Sequence, residues 1–505
     1  MSGLWKPIVL CAGLLIGGAG GPAGVARAQS MEDIRLVVAS EAEAGRVYAL
    51  RGFVPAWTVD GLPTALADSA LALLAAAGEE GIVPTRIGFD ELVRTRVLTD
   101  IAPLSPAWAA RFDVGLTAAL LRYGAMLRRG VVAPGLLHPG WRLREDVSDL
   151  PEALDEAVRY HRVRTFVERA APRDMAYRRL KQALARLARI DREGGWPALP
   201  DGAPLEPGDA RPEVAVLRQQ LAVMGDLPGG SNGSNVYDST LALAVRRFQS
   251  RHGLVPDAVV GQATRNALNV TAHGRLHQVA LNMERLRWMP ASDSVSIVVN
   301  IAGCRLDVVE DGRSVLSMPV IVGAADTHTP VFDAVLTGVT LAPYWYAPVS
   351  IAEKEILPAA QLDSTYLTRH HMQILPSGTI RQDPGPTNPL GRVKFTVSNP
   401  FDIGLHDTPE RRLFGSERCT FSHGCVRLGN PMDLAAYVLA GDSTWTPARI
   451  ASTIAAWVET PIALRRPIPL RVVYLTAWVD GEGVLHFRED RYGHDATLER
   501  FMDTP

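Results

Sequence analysis

The apolar residues of this chain change their spacing once, near residue 294, and that change restricts the chain to a mixed fold. From about Ser30 to Ile190 they recur every three or four positions, as in Leu66–Leu74 and Arg178–Leu187. That is the period of a helix with one buried face. From Ser294 they alternate instead, through Val295-Ser296-Ile297-Val298-Val299-Asn300 and Cys304–Val309, as half-buried strands do. Neither a helical bundle nor a β-sandwich accommodates both patterns, so the expected class is α+β and multidomain. At 505 residues there is room for two to four domains.

The expected order starts with a helical scaffold domain over 30–207, in which Leu120–Arg129 ends at a cap residue, Gly130. Pro197–Pro212 is rich in Pro, Gly and Asp and marks a linker. A three-helix module follows over 213–269, with helices at Val214–Leu221, Leu241–Gln249 and Gln262–Leu268. A β-rich domain over 294–460 has a hairpin at Glu310-Asp311-Gly312 and a returning strand over Val315–Val322. Further strands at Lys394–Val397 and Ile403–Leu405 put His406 at a strand end, and Asn430-Pro431 starts a helix. The segment 345–391, with six prolines and Trp345, Tyr346, Tyr366 and Leu367, reads as a lid insertion. Residues 461–505 read as a C-terminal extension packing on the β-rich or scaffold domain.

The first residues have the form of a cleavable export signal over 1–28: Lys6, an apolar run from Ile8 to Ile16, and small residues around Ala26-Arg27-Ala28. The expectation is a periplasmic protein. Loss of Lys6 and Arg27 moves the formal charge from −2 to about −4, a balance that gives no sign of nucleic acid. Cys304, Cys419 and Cys425 then remain. An odd set in an oxidising compartment leaves at least one free thiol. Cys419 is expected as a partly buried free thiol and Cys304 as a core residue.

Chemistry concentrates in Leu405-His406-Asp407-Thr408 and Ser422-His423-Gly424-Cys425-Val426-Arg427. A neutral thiol is a poor nucleophile, and an imidazole that takes its proton activates it. A glycine directly before the cysteine lets the backbone turn so that amides near Gly424 and Cys425 face a reacting carbonyl. Acyl transfer through Cys425 with His406 as base is the expected chemistry. Asp407 or a neighbouring carbonyl orients the imidazole, His423 shapes the turn or meets substrate, and Ser422 hydrogen-bonds within the loop.

His406 nineteen positions before Cys425, together with Ser422-His423-Gly424-Cys425, resembles the signature of the L,D-transpeptidases with a YkuD-type catalytic domain. Val320–Gly323, Thr329-Pro330, Arg381–Gly385 and Tyr474–Asp480 resemble the same family, in its large exported form. The module is similar to peptidoglycan-binding modules at Val245–Gln249 and Gly253–Gly261. The resemblance implies that Cys425 attacks the L-centre carbonyl of diaminopimelate in a tetrapeptide stem. D-Ala leaves, and the diaminopimelate amine of a second stem resolves the thioester as a 3→3 cross-link in cell-wall biogenesis. No ATP, metal or other cofactor is implied. Partners would be peptidoglycan stems, cell-wall synthesis proteins and carbapenem inhibitors. Substrate contacts would come from Arg427, His423, Ser422, Asp407, Trp345 and Tyr346. Where short forms of the motif carry Asn, this chain has Arg427, which either binds a stem carboxylate or braces the loop.

Two readings compete from other classes. Zinc chemistry from His406, Asp407, His423, Cys419 and Cys425 lacks any close cysteine pair or His-Glu-x-x-His spacing. A non-catalytic wall-binding scaffold leaves the His406/Cys425 pair without a purpose. Within the enzyme reading, water as acceptor gives an L,D-carboxypeptidase, and a lipoprotein lysine gives protein anchoring.

Overall fold

The computed structural model describes residues 22–141, 147–290, 294–416 and 418–503. Most of the expected leader, residues 1–21, lies outside the described residues, and the rest falls in the helix Pro22–Val38. Among the described residues no helix is long and apolar enough to cross a membrane.

The chain forms two compact units. The first takes described residues of 1–76, 84–124 and 147–168 and is helical. At its centre the fully buried Asp113 accepts hydrogen bonds from Tyr48 Oη (2.6 Å), the Ala56 and Trp57 amides (2.7 and 2.9 Å) and Thr58 Oγ1 (2.7 Å). Four donors offset the desolvation of one carboxyl group.

The second unit holds everything else from residue 169 on, with 77–83 and the described part of 125–146. Helix α1 (Met175–Arg192) belongs to it. Its Tyr177, Leu180, Leu184 and Leu187 pack with Val279 and Met283 of the long helix over 272–287 and with Ala477 and Phe487. A helical period shows that a face is buried but not what covers it. The module follows as α2 (Pro212–Met224), α3 (Ser239–Arg251) and α4 (Gln262–Leu268), around Val214, Leu217, Tyr237 and Phe248. Helix α5 (Ala272–Arg287) carries Glu284 and Arg287, paired at 2.9 Å with no side-chain exposure. Glu284 also accepts the amides of Val131 and Val132 and Trp288 Nε1, so the buried charge is fully surrounded by donors.

The catalytic region is one sheet of nine strands: β1 (Val295–Asn300), β2 (Arg305–Glu310), β3 (Arg313–Gly323), β4 (Phe332–Leu341), β5 (Val393–Ser398), β6 (Leu405–His406), β7 (Thr420–Ser422), β8 (Val426–Leu428) and β9 (Thr460–Val473). Its order is β7-β3-β8-β6-β5-β4-β9-β1-β2, and pairing of β2 with β3 closes it on itself. Alternate residues such as Ile297, Val299, Leu336, Phe395 and Leu470 fill the inside. Helix α6 (Pro431–Leu439) packs Leu434, Ala435 and Leu439 onto this core.

Two expectations are overturned here. Residues 461–505 are not simply an extension, because β9 sits between β4 and β1 inside the sheet. Cys419 is not a free thiol. It is bonded to Cys304 across 115 residues of chain, because closure of the sheet brings the β1–β2 turn beside the approach to β7, and Cys425 alone is free among the cysteines described.

The insertion over 345–391 is ordered as a small subdomain. Three short strands (Trp345–Tyr346, Met372–Ile374 and Ile380–Gln382) and helical turns enclose Ala347, Ile356 and Ile380, with Trp345, Tyr366 and Met372 packed around them.

Candidate active site

Strands β6 and β8 run parallel, with Leu405 opposite Val426 and His406 opposite Arg427. Cys425, one residue before Val426, therefore comes opposite Gly404 and faces the same way as His406. The two side chains are diagonal neighbours on one face. Gly404 contributes no side chain, so the sulfur has an open position across from it. Gly404 N–H instead points at Sγ (3.5 Å), and the thiol faces the Asp402 carbonyl (3.9 Å).

The imidazole is oriented by the backbone. His406 Nδ1 lies 2.5 Å from the Asp407 carbonyl, which can only accept, so Nδ1 carries the proton and Nε2 is left as the base. Burial holds the His406 pKa down to about 4, and Arg427 and Lys394 act in the same direction. The neutral imidazole is therefore the form present near neutrality. The Asp407 carboxylate is engaged elsewhere: one oxygen accepts from Arg392 N and Nε at 3.0 and 2.8 Å. Its other oxygen is 3.2 Å from Arg411, within ion-pair range but off the line of a hydrogen bond.

The turn itself is held from below. Gly424 has φ +115°, and a Cβ there would lie 3.1 Å from Ile403 Cδ1. A side chain at this position is strained both by backbone angle and by space. Ser422 is buried, accepts the Gly424 amide (3.1 Å) and donates to the Cys425 carbonyl (2.5 Å). The buried Thr329 hydroxyl donates to the Gly424 carbonyl (2.7 Å) and accepts the Gly323 amide (2.9 Å). Thr327 Oγ1 bonds the Ser422 carbonyl at 3.0 Å. With the Gly424 amide so occupied, the N–H groups of His423 and Cys425 are left without an acceptor among the described residues. They are the donors available to a developing oxyanion.

The remaining predicted residues are distributed around this centre. His423 is exposed, with Nε2 3.0 Å from Glu355 of the insertion. Arg427 pairs with Glu410. Tyr346 is exposed, whereas Trp345 packs into the subdomain core. Sequence reasoning missed Asp402, Gly404, Arg392, Arg411 and Glu410, and it noted Thr329 without a role. The available signal was the glycine two residues before His406, which is also the gap across from the nucleophile. Among the described residues no cluster of His, Cys, Asp or Glu is arranged to hold a metal ion.

Three stretches of this chain match known protein families. Residues 294–450 match the family model of the L,D-transpeptidase catalytic domain, 42–184 match a scaffold domain, and 210–268 match the model described as "Putative peptidoglycan binding domain". A curated protein of Haemophilus influenzae named "Putative L,D-transpeptidase" is 31% identical over 241 residues, or 44% of this chain. The chain spans about half of that relative's length, 48%. Among solved structures, an L,D-transpeptidase from Xylanimonas cellulosilytica is 19% identical, with a TM-score of 0.19, covering 54% of this chain and 99% of that one. An L,D-transpeptidase solved with imipenem is 14% identical, with a TM-score of 0.19, covering 36% and 60%. At these scores neither structure carries an argument about chemistry.

Proposed function

Because the chain belongs to the L,D-transpeptidase family through its catalytic domain, we propose that it forms 3→3 cross-links between peptidoglycan stems by way of a Cys425 thioester. The observation that carries this reading is the placement of Cys425 and His406 on one face of adjacent parallel strands, with Nδ1–H tied to a carbonyl and Nε2 without a hydrogen-bond partner among the described residues. Nε2 takes the thiol proton as sulfur attacks the L-centre carbonyl of diaminopimelate. The carbonyl's electron pair moves onto oxygen, within reach of the His423 and Cys425 amides. As the tetrahedral species collapses, His406 returns the proton to the departing D-Ala amine. The amine of a second stem then repeats the sequence on the thioester, and Cys425 leaves as thiol.

The exposed His423 and Tyr346 are offered as stem contacts, while Arg427, held by Glu410, borders them. In this reading the protein is exported to the periplasm by its leader and is acylated by carbapenems at Cys425. Incubation with disaccharide-tetrapeptide tests it. Masses of cross-linked dimers lacking one D-Ala are expected, together with their loss in Cys425→Ala. Tripeptide as sole product would make the protein a carboxypeptidase, and no turnover at all by folded protein would overturn the reading.

A further inference from the structure

Away from the nucleophile turn, helices α1 and α3 and the hairpin that pairs Ala477–Val479 with Leu485–Phe487 enclose a cleft of about 720 Å³. A space of that size accommodates a sugar with part of its substituent. One wall is the module matched as peptidoglycan-binding. We propose that this cleft docks the anionic glycan–peptide strand of peptidoglycan.

The argument is electrostatic and steric. Five arginines line the cleft; Arg251 pairs with Asp226, and among the described residues the other four are held by uncharged groups, Arg275 by Gln278 and the Ala267 carbonyl. Arg179 donates to the Asp480 and Gly481 carbonyls, Arg186 to the Met224 carbonyl (2.9 Å) and Arg247 to the Leu243 carbonyl (3.4 Å). A carbonyl orients a guanidinium without neutralising it, and its remaining N–H groups stay available for a carboxylate. The lining acids do not balance this charge. Asp226 is taken by Arg251 (2.6 Å), whereas Asp480 accepts from a His486 ring whose charged form burial disfavours (2.7 Å), so the carboxylates of Asp480 and Glu482 face four guanidiniums with uncharged partners. Trp196 completes the cleft, its Nε1 fixed to the Val270 carbonyl at 3.1 Å. A pinned indole is a stacking platform for a sugar ring. Stem peptides ending in free carboxylates on a glycan supply both features. The walls are also tied to each other, since Arg488 Nη1 donates to the Arg251 carbonyl (3.0 Å). The cleft is thus pre-formed, and little is spent on ordering it.

This site deepens the peptidoglycan reading above and rests on it. The test uses the full exported chain with Cys425→Ala, which binds without turnover, sedimented with protein-free sacculi. The Arg186→Glu/Arg247→Glu variant should weaken retention about tenfold or more, the loss expected from two charge-assisted contacts. Added salt should weaken the parent more than the variant. Arg247→Glu alone, on an exposed site bonded only to its own helix, gives the same direction without risk to folding. In the Cys425 background both variants should turn over a glycan-free tetrapeptide at the parental rate. Equal retention of parent and correctly folded variants overturns the proposal, as does a parent that sacculi do not retain. Failure of the wild-type protein to process any stem, with charge-dependent retention intact, would instead remove the catalytic reading and leave the cleft standing.

Discussion

The chemistry of single residues here depends on which proton each atom carries. With His406 depressed to about 4 by burial, the imidazole is protonated only as pH falls through that value. Its capacity as a base is therefore present at neutrality and in mild acid, and is lost below. The acid limb of kcat/KM, or of carbapenem acylation, should centre near 4 when read in short assays after a pH jump. A limb at 6.5 would show that the ring is solvated in the working enzyme. Thr329 gives a second prediction. Thr329→Val keeps the shape but strips the Gly424 carbonyl and Gly323 amide of their partner, a loss of about 1–3 kcal/mol for each buried group. The turn should drift, lowering kcat at least tenfold with little change in KM, and Thr329→Ser should restore it. A KM effect alone, or no rescue by serine, would argue against positioning. Cys425, His406 and Gly424 were legible because they lie within twenty residues of one another. Thr329 was not, because it reaches the turn from 95 positions away.

At the scale of elements, the sheet was legible wherever alternation is strict, as in β1, β2, β3 and β5. Strand β9 was not, because Pro461, Pro467 and Pro469 and the pair Arg465-Arg466 read against a buried strand. The register explains their tolerance. Strand β1 pairs only Leu470–Val473, and the pairing with β4 skips from Ala463 to Ile468, so the prolines fall where ladder bonds are missing or one-sided. The Cys304–Cys419 bond was equally hidden, since pairing follows from closure of the sheet rather than from spacing. It anchors the chain just before β7 and the nucleophile turn. Replacing both cysteines by serine should cost about 2–4 kcal/mol, read as a lower denaturant midpoint, and should slow acylation of Cys425. Alkylation of the native chain lacking residues 1–28 should modify one thiol, and three after reduction and unfolding. Three reactive thiols in the native, unreduced chain would remove the bond from the account.

For the whole molecule, helical periods found the helices but not what covers each buried face. A leucine stripe is the same whether it faces a bundle or, as here, α5 and a β-hairpin. The same burial has a collective consequence in acid. His406 and His494 are held down to about 4, His138 to about 3, and His252 well below its ordinary value, each chiefly because burial disfavours the charged ring. An unfolded histidine binds its proton near 6.5, so below that pH the unfolded chain takes up protons that the folded one refuses. The stability contributed by these neutral rings is complete above 6.5 and drains away as pH falls toward 4. For His406 alone it is on the order of 3 kcal/mol. Most carboxylates have yet to titrate at pH 5.5, so the melting temperature should already fall between pH 7 and 5.5. His494→Gln should be less stable at neutrality yet flatten that slope. A melting temperature level down to pH 5 would mean that these rings are hydrated in solution, and the base assigned to Cys425 would lose its depressed pKa with them.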